Sequence, residues 1–337
     1  MSSANASSVE IPVADPEIDV SVVVPVYGGM AALPELCERV GRTMREAGWR
    51  YEIILVDDHG PGNAWPVIVE LARIDPQVIG LRLSKNFGQH AATMCGINRA
   101  RGEWIVTMDD DLEHPPESIP AMVAAGTDGC RLVYGAFGKR THAAYRNISS
   151  ELMRWTLKRA FPDLNENYCS FRAIHASVAR QLSAFSLSKP YIDGMLSWIT
   201  SGARSVEVTH SVRTHGESAY TLKKLVAHAV NIFVTFSPLP LRMATYGGLG
   251  LAGVSFLSII YFVYGKLSGT ISNPGYTSLM SVVLFACGIQ LVILGVLGEY
   301  VGKLMSAAYK RPGYIVIEEA HPTVSASTRS FAHQSEA

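Results

Sequence analysis

Two uncharged runs in the last third of the chain constrain its fold more than any other feature. Met243–Tyr264 (MATYGGLGLAGVSFLSIIYFVY, 22 residues) and Tyr276–Gly298 (YTSLMSVVLFACGIQLVILGVLG, 23 residues) contain no Asp, Glu, Lys or Arg. About 20 apolar residues, rising 1.5 Å each, cross a 30 Å hydrocarbon core. Each run is therefore long enough for a membrane helix, the alternative being two buried helices of a soluble core. The runs are adjacent and Gly-rich, as membrane helices often are. Composition agrees: of 337 residues, 48% are hydrophobic and only 17% charged, with a mean hydropathy of +0.17. This excludes a disordered chain and argues against a wholly soluble enzyme.

Basic residues flank the runs unevenly. Arg213, Lys223, Lys224 and Arg242 precede the first, Lys303, Lys310 and Arg311 follow the second, and the connector Gly265–Gly275 carries only Lys266. The positive-inside rule then predicts a two-span protein of the cell membrane, with its N-terminal domain and both termini in the cytoplasm. Five cysteines without a Cys-x-x-Cys pair fit a reducing compartment. Residues 1–19 lack the apolar core of a signal peptide and read as a flexible lead-in. With 29 basic against 29 acidic residues the net charge is zero, so no nucleic-acid partner is expected.

The first 240 residues alternate strand-like and helix-like patterns. Val20–Val26, Glu52–Val56, Val78–Leu83 and Trp104–Met108 read as strands, and Ala31–Ala47, Asn63–Ile74 and Gln89–Arg101 as helices. Continuous apolar strands alternating with helices predict an α/β domain with a mostly parallel sheet covered on both faces. Ligands of such sheets sit at the carboxyl ends of the strands, where Asp57, Asp58, Asp109 and Asp111 fall. No Gly-x-Gly-x-x-Gly follows the first strand, so neither NAD nor FAD is expected.

Asp109-Asp110-Asp111 can be read in two ways. It is either a solvated acidic turn capping a helix that starts near Pro116, or the site of a hard divalent cation, Mg2+ or Mn2+, bridging a diphosphate. Two carboxylates one residue apart project to the same side of an extended segment and can share one ion.

The stretches VSVVVPVYGG, EIILVDDHGPGN, LSKNFGQHAA and MDDDLEHPPE, in that order, resemble the inverting glycosyltransferases of family 2 with the GT-A (Rossmann-like) fold. Within that family the chain is most similar to polyprenyl-phosphate glycosyltransferases such as dolichyl-phosphate mannose synthase and the bactoprenol-phosphate glucosyltransferases. RTHGESAYTLKKL and GEYVGKLMSAAYKRPGYIV extend the resemblance over about residues 20–317. It implies transfer of one sugar from a nucleotide diphosphate, UDP by default, to a polyprenyl phosphate. Pro25 and Tyr27 would line the base pocket, Asp57 would bond the base with Asp58 nearby, and Asp110 would lie on the donor side. Asp109 and Asp111 would face the metal and diphosphate. Glu113 stands where the family usually has Gln and would join them as a metal ligand. Gly28-Gly29 replaces the usual Asn-Glu.

Seven basic residues against one acidic lie between Arg131 and Arg159. They form either a solvated helix face or a basic patch at the membrane surface. The resemblance implies the patch, with Arg146 and Ser150 holding the acceptor phosphate and Lys139 and Arg140 beside them. Fixed arginines offset the repulsion between a phosphate acceptor and an anionic donor. A phosphate monoester, with its second pKa near 6, is already a nucleophile at neutral pH and needs no strong base. Some related enzymes carry Gly-Asp-Phe-Arg where this chain has Cys169-Ser170-Phe171-Arg172, so a candidate base is missing there. Cys169 is a weak candidate nucleophile, because no partner histidine is identifiable. Arg213, Ser218, Tyr220 and Lys223 are either a strand end and helix start or, as the resemblance implies, a loop over the diphosphate with Arg213 as a catalytic cation. Leu222–Phe236 reads as an amphipathic interfacial helix. The histidines show no metal spacing, and only His114 is a candidate neighbour of the acidic cluster.

The expected organisation is a lead-in over 1–19, a GT-A domain over 20–218, an interfacial helix over 219–242, two membrane helices over 243–303, and a cytoplasmic segment and tail over 304–337. Self-association is compatible with it. The competing readings are transfer to a saccharide or lipid hydroxyl, and an accessory membrane protein with a relic domain. A processive synthase would need more spans and the absent Gln-x-x-Arg-Trp run.

Overall fold

Every residue of β1 (Val20–Val26) and β2 (Tyr51–Asp57) is buried. Continuous β-branched and apolar runs suit strands with both faces covered. The computed structural model describes residues 17–28, 30–126, 129–137, 163–185, 190–208, 239–268, 275–308 and 312–322. The chain divides into two units. One is a sheet unit formed by Met1–Ser150, Phe161–Ala219 and Arg311–Ala337, and the other comprises Glu151–Ala160 and Tyr220–Lys310.

The sheet unit alternates strands and helices as far as β4. After β1 come α1 (Leu33–Glu46), β2, α2 (Trp65–Ile74), β3 (Val78–Leu83), α3 (Gln89–Arg99) and β4 (Trp104–Thr107). A short 3-10 turn (Pro116–Ser118) leads into α4 (Ile119–Ala125), β5 (Leu132–Phe137), β6 (Arg172–His175), α5 (Ala176–Ser183), α6 (Ile192–Ile199) and β7 (Ala203–Val208). β8 (Val316–Ala320) belongs to the same sheet. Strand order is β7-β5-β6-β4-β1-β2-β3-β8. The β3-β2-β1-β4 centre is parallel, β5 and β7 pair parallel, and β6 and β8 run antiparallel to their neighbours. The expected α/β class with a mostly parallel sheet is the observed one.

Local chemistry explains the helices. α1 has Pro34 in its first turn, where a missing N–H costs nothing. It buries Leu33, Leu36, Cys37, Val40 and Met44, one stripe at three- and four-residue spacing. α3 buries Ala91, Ala92 and Gly96 instead. A Cβ on Gly96 would lie 2.3 Å from Val23 Cγ1, so the helix packs on β1 only because that position has no side chain. Two apolar clusters result, each drawing on β1 and β2: one includes the α1 and α2 residues, the other those of α3, α5 and α6.

The second unit contains α7 (Leu239–Leu267, 29 residues) and α8 (Tyr276–Ala308, 33 residues). At 1.5 Å per residue these are about 43 and 50 Å long. The helices touch, with the Cβ position of Gly248 3.4 Å from Ile293 Cδ1. Leu249, Phe256, Leu257, Leu291 and Val292 are among the apolar side chains left exposed. Two membrane spans were expected. Among the described residues one stretch, Phe285–Gly302 of α8, has the length and apolarity to cross a membrane.

Candidate active site

The order β3-β2-β1-β4 reverses direction between β1 and β4. The crevice at the carboxyl ends of those strands is the switch point where open α/β sheets bind ligands. Strands lie about 4.8 Å apart, so β2 and β4 flank β1 about 10 Å apart, with Asp57 level with Val26 and Thr107 level with Val23.

At the end of β1, Pro25 is buried and Tyr27 is 48% exposed. The Asp110 carboxylate accepts from the backbone N–H of Tyr27 (3.1 Å) and Gly28 (3.4 Å), tying the turn after β4 to the end of β1. The loop after β2 presses against the same place. A Cβ on Gly60 would fall 1.5 Å from the Tyr27 carbonyl oxygen, so only glycine fits there. His59 and Asn63, at φ of 55° and 46°, take the left-handed conformation that bends this loop.

Asp57 and Asp58 are both buried. Asp57 Oδ1 accepts from the His59 N–H at 3.1 Å, and Arg82 Nε lies 3.5 Å from its Oδ2. Burial pushes the Asp57 carboxyl up, opposed by backbone N–H bonds from His59 and Gly60 and by Arg82. Asp58 accepts from the N–H groups of Phe87 (2.8 Å) and Gly88 (2.9 Å), bracing the loop before α3. Burial also pushes Asp58 up.

Asp109 has 28% of its side chain exposed. Its Oδ1 accepts from the Gln89 amide (2.6 Å) and its Oδ2 from the Ser170 hydroxyl (2.7 Å). Its backbone N–H donates to His114 Nδ1 at 3.0 Å. The His114 proton therefore sits on Nε2, 3.8 Å from Asp109 Oδ2. His114 stacks against Phe171 (5.1 Å between ring centroids) and Phe137 (5.4 Å), and burial holds its pKa down, so the ring is neutral. Burial pushes the Asp109 carboxyl up, the direction a bound cation reverses. Leu112, at φ 62°, curls the turn so that the Glu113 N–H reaches Asp111 Oδ1 (3.1 Å).

These contacts separate the two readings of the acidic run. Neither the 3-10 turn nor α4 has a side-chain cap, so the three aspartates do not serve as helix caps. As all-oxygen donors, Asp109, Asp111 and Glu113 suit a hard divalent ion. Among the described residues no three His, Cys, Asp or Glu side chains converge as a metal-holding group. An ion here would take its other ligands from a donor diphosphate and water, as Mg2+ usually does.

The run Cys169–Arg172 reaches the crevice from β6. Cys169 Sγ contacts the carbonyl oxygens of Gly135 and Phe171, both at 3.1 Å, and burial pushes its thiol up to about 11. It stays protonated, which disfavours a nucleophilic role. Arg172 is buried against Thr107 and Asp193, with the Tyr134 hydroxyl donating to the same Asp193 oxygen. This fixes the residues that present Ser170. Gln89 and Ser170 were not anticipated as site residues, though both lie in stretches the sequence singles out. Lys139, Arg140, Arg146, Ser150, Arg213, Ser218, Tyr220, Lys223 and the segment Leu222–Phe236 lie outside the described residues.

The fold is that of a GT-A glycosyltransferase. Residues 21–181 match Glycosyl transferase family 2, and residues 239–304 match the GtrB C-terminal hairpin. The chain is 32% identical to the uncharacterized glycosyltransferase YkcC of Bacillus subtilis (strain 168), covering 89% of this chain and 93% of that protein. It is 33% identical to the undecaprenyl-phosphate 4-deoxy-4-formamido-L-arabinose transferase of Shewanella sediminis (strain HAW-EB3), covering 88% and 91%. Glucosyl-3-phosphoglycerate synthase from Mycobacterium tuberculosis, solved with Mn2+, UDP-glucose and phosphoglyceric acid, shares the fold alone. Its TM-score is 0.50 at 15% identity, over 69% of this chain and 84% of that one. The chain thus belongs to glycosyltransferase family 2, within its polyprenyl-phosphate branch, and is an enzyme of sugar transfer.

Proposed function

We propose that this enzyme transfers one sugar from a nucleoside diphosphate donor, a UDP-sugar first among them, to a polyprenyl phosphate, with inversion at the anomeric carbon. The observation that carries the reading is the switch-point crevice, where Asp110 ties the ends of β1 and β4 together and Asp109 and Asp111 stand beside them. The name of the Shewanella relative supports the acceptor.

Tyr27 and Asp57 hold the base, with Pro25, Asp58 and Asp110 shaping its pocket. Asp109, Asp111 and Glu113 would hold Mg2+ or Mn2+, which would supply positive charge to offset that of the diphosphate. Arg146 and Ser150, with Lys139 and Arg140, fix the acceptor phosphate. Arg213, Ser218, Tyr220 and Lys223 close over the donor. A phosphate oxygen attacks the anomeric carbon opposite the leaving group. The new C–O bond forms as the old one breaks, and the electron pair leaves with the nucleoside diphosphate. The acceptor arrives ionised, so no base is required. Ser170 accordingly donates to Asp109, in a place where related enzymes carry a carboxylate.

α7 and α8 cross the membrane as two spans, with the sheet domain and both termini in the cytoplasm, where the nucleotide donor is available. The boundaries at 219, 243 and 304 divide the interfacial helix, the spans and the C-terminal segment.

The test is a transfer assay on detergent-purified protein. Polyprenyl phosphate and labelled nucleotide sugars are combined with and without Mg2+ or Mn2+, and label is followed into the organic phase. Metal-dependent transfer from one donor, reduced roughly 100-fold or more in Asp111→Asn, is expected. Nucleotide binding without label from any donor would overturn the acceptor assignment.

A further inference from the structure

Asp57, Arg82 and Glu318 are register neighbours across three strands, β2, β3 and β8. Their charges alternate in one row. Arg82 donates from Nη1 to Glu318 Oε1 at 2.7 Å, and its Nε stands 3.5 Å from Asp57 Oδ2. The other Glu318 oxygen accepts from Trp65 Nε1 at 3.0 Å. The Arg82 guanidinium also lies over the Trp65 ring, 5.8 Å from its centroid, within cation–π range. Arg82 is thus held on two sides, by the carboxylate of β8 and by the first residue of α2. Its Nε is buried and has no hydrogen-bond acceptor among the described residues. The nearby Asp57 oxygen is slightly too far for a good bond.

The geometry points to Arg82 as a positioning residue for donor binding, clamped by Glu318 and Trp65 so that it orients the Asp57 carboxylate. The strand that follows the helical unit therefore forms part of the donor pocket's support. This rests on the role given to Asp57 above. A carboxylate accepts an N–H from the base more strongly when ionised, and only when correctly turned. The groups facing Asp57 are His59 and Asp58 beside it and Arg82 on β3, while Val26 is its register partner on β1. Arg82 is the permanent cation of the set. Without it, Asp57 protonates at a higher pH, and donor affinity falls as pH drops through that range.

The test compares the full-length enzyme with Arg82→Met, Arg82→Lys, Glu318→Gln and Asp57→Asn, in detergent, by calorimetric binding of UDP or GDP from pH 5.5 to 8. Arg82→Met is expected to weaken nucleotide binding roughly tenfold at pH 7, by loss of a charge-assisted contact. It should raise the donor KM with kcat within about twofold, and steepen the loss of binding toward low pH. Arg82→Lys should recover part of the loss, because charge returns without the fork geometry. Glu318→Gln removes the charge and, with a single amide oxygen, can keep only one of the two accepted hydrogen bonds, so Arg82 stays in place less firmly and a smaller shift in the same direction is expected. That variant decides the question if Arg82→Met does not fold. Wild-type affinity and pH dependence in Arg82→Met, or in Glu318→Gln should that variant alone fold, would overturn the positioning role when Asp57→Asn loses binding. If Asp57→Asn also binds like wild type, or wild type binds neither nucleotide, the donor role of Asp57 fails and the inference with it.

Discussion

Asp109 is gripped at both carboxylate oxygens, by the Gln89 amide and the Ser170 hydroxyl, while its backbone N–H is taken by a neutral histidine. Such partners orient a metal-binding carboxylate, and removing one typically costs ten- to a hundredfold in metal affinity or activity. Ser170→Ala is accordingly expected to raise the Mn2+ concentration for half-maximal transfer by roughly tenfold. Metal titration of the transfer assay measures it, with an unchanged titration as the contrary result. At this scale the sequence was partly legible. Asp109 and Asp111 were visible because their spacing is local and falls at a strand end. Gln89 and Ser170 were not, because they lie 20 and 61 residues from Asp109 and only the strand order brings them together. The same holds for Arg172 and Asp193, a buried ion pair that no short-range pattern announces.

The strands β1 to β4 and the helices between them declared themselves through unbroken apolar runs and punctuating turns. The later strands did not. β6 is four residues long and takes its place from hydrogen bonds to β4 and β5. β7 is largely exposed, and β8 carries Glu318-Glu319 in a segment read as a cytoplasmic segment and tail. α3 shows how much an element can depend on what a residue lacks. Its seat on β1 requires Gly96, and a methyl there would press on Val23 and Val56. Gly96→Ala is expected to destabilise the protein by about 1–3 kcal/mol through overpacking, against a slight gain in helix propensity. Chemical denaturation of the two proteins measures the difference, and equal or greater stability in the variant would refute this account of the contact.

For the whole molecule, composition already indicated a chain that is not wholly soluble, and α7 and α8 leave many large apolar side chains uncovered. If α8 lies in a bilayer as proposed, Leu291, which is 71% exposed, faces hydrocarbon near the middle of the span. Leu291→Lys is then expected to cost about 3 kcal/mol of insertion free energy. It should shift the protein from the carbonate-resistant membrane pellet toward the extractable fraction, whereas unchanged extraction would place this face away from lipid. Orientation was read from Lys and Arg alone, and Lys139, Arg140, Arg146 and Arg213 fall outside the described residues.

β8 carries one further consequence. Its pairing partner Arg82 is made 236 residues before Glu318. At about 5–20 residues per second, the edge of β3 waits roughly 12–47 s for its neighbour during synthesis. In that interval a nascent chain has four central strands but an open edge, the kind that recruits foreign strands. A ribosome that stalls anywhere before Val316 releases a polypeptide whose Arg82 has never met its carboxylate. Among the described residues β8 is the last strand in the chain, so closing that edge of the sheet waits until Val316–Ala320 has been made.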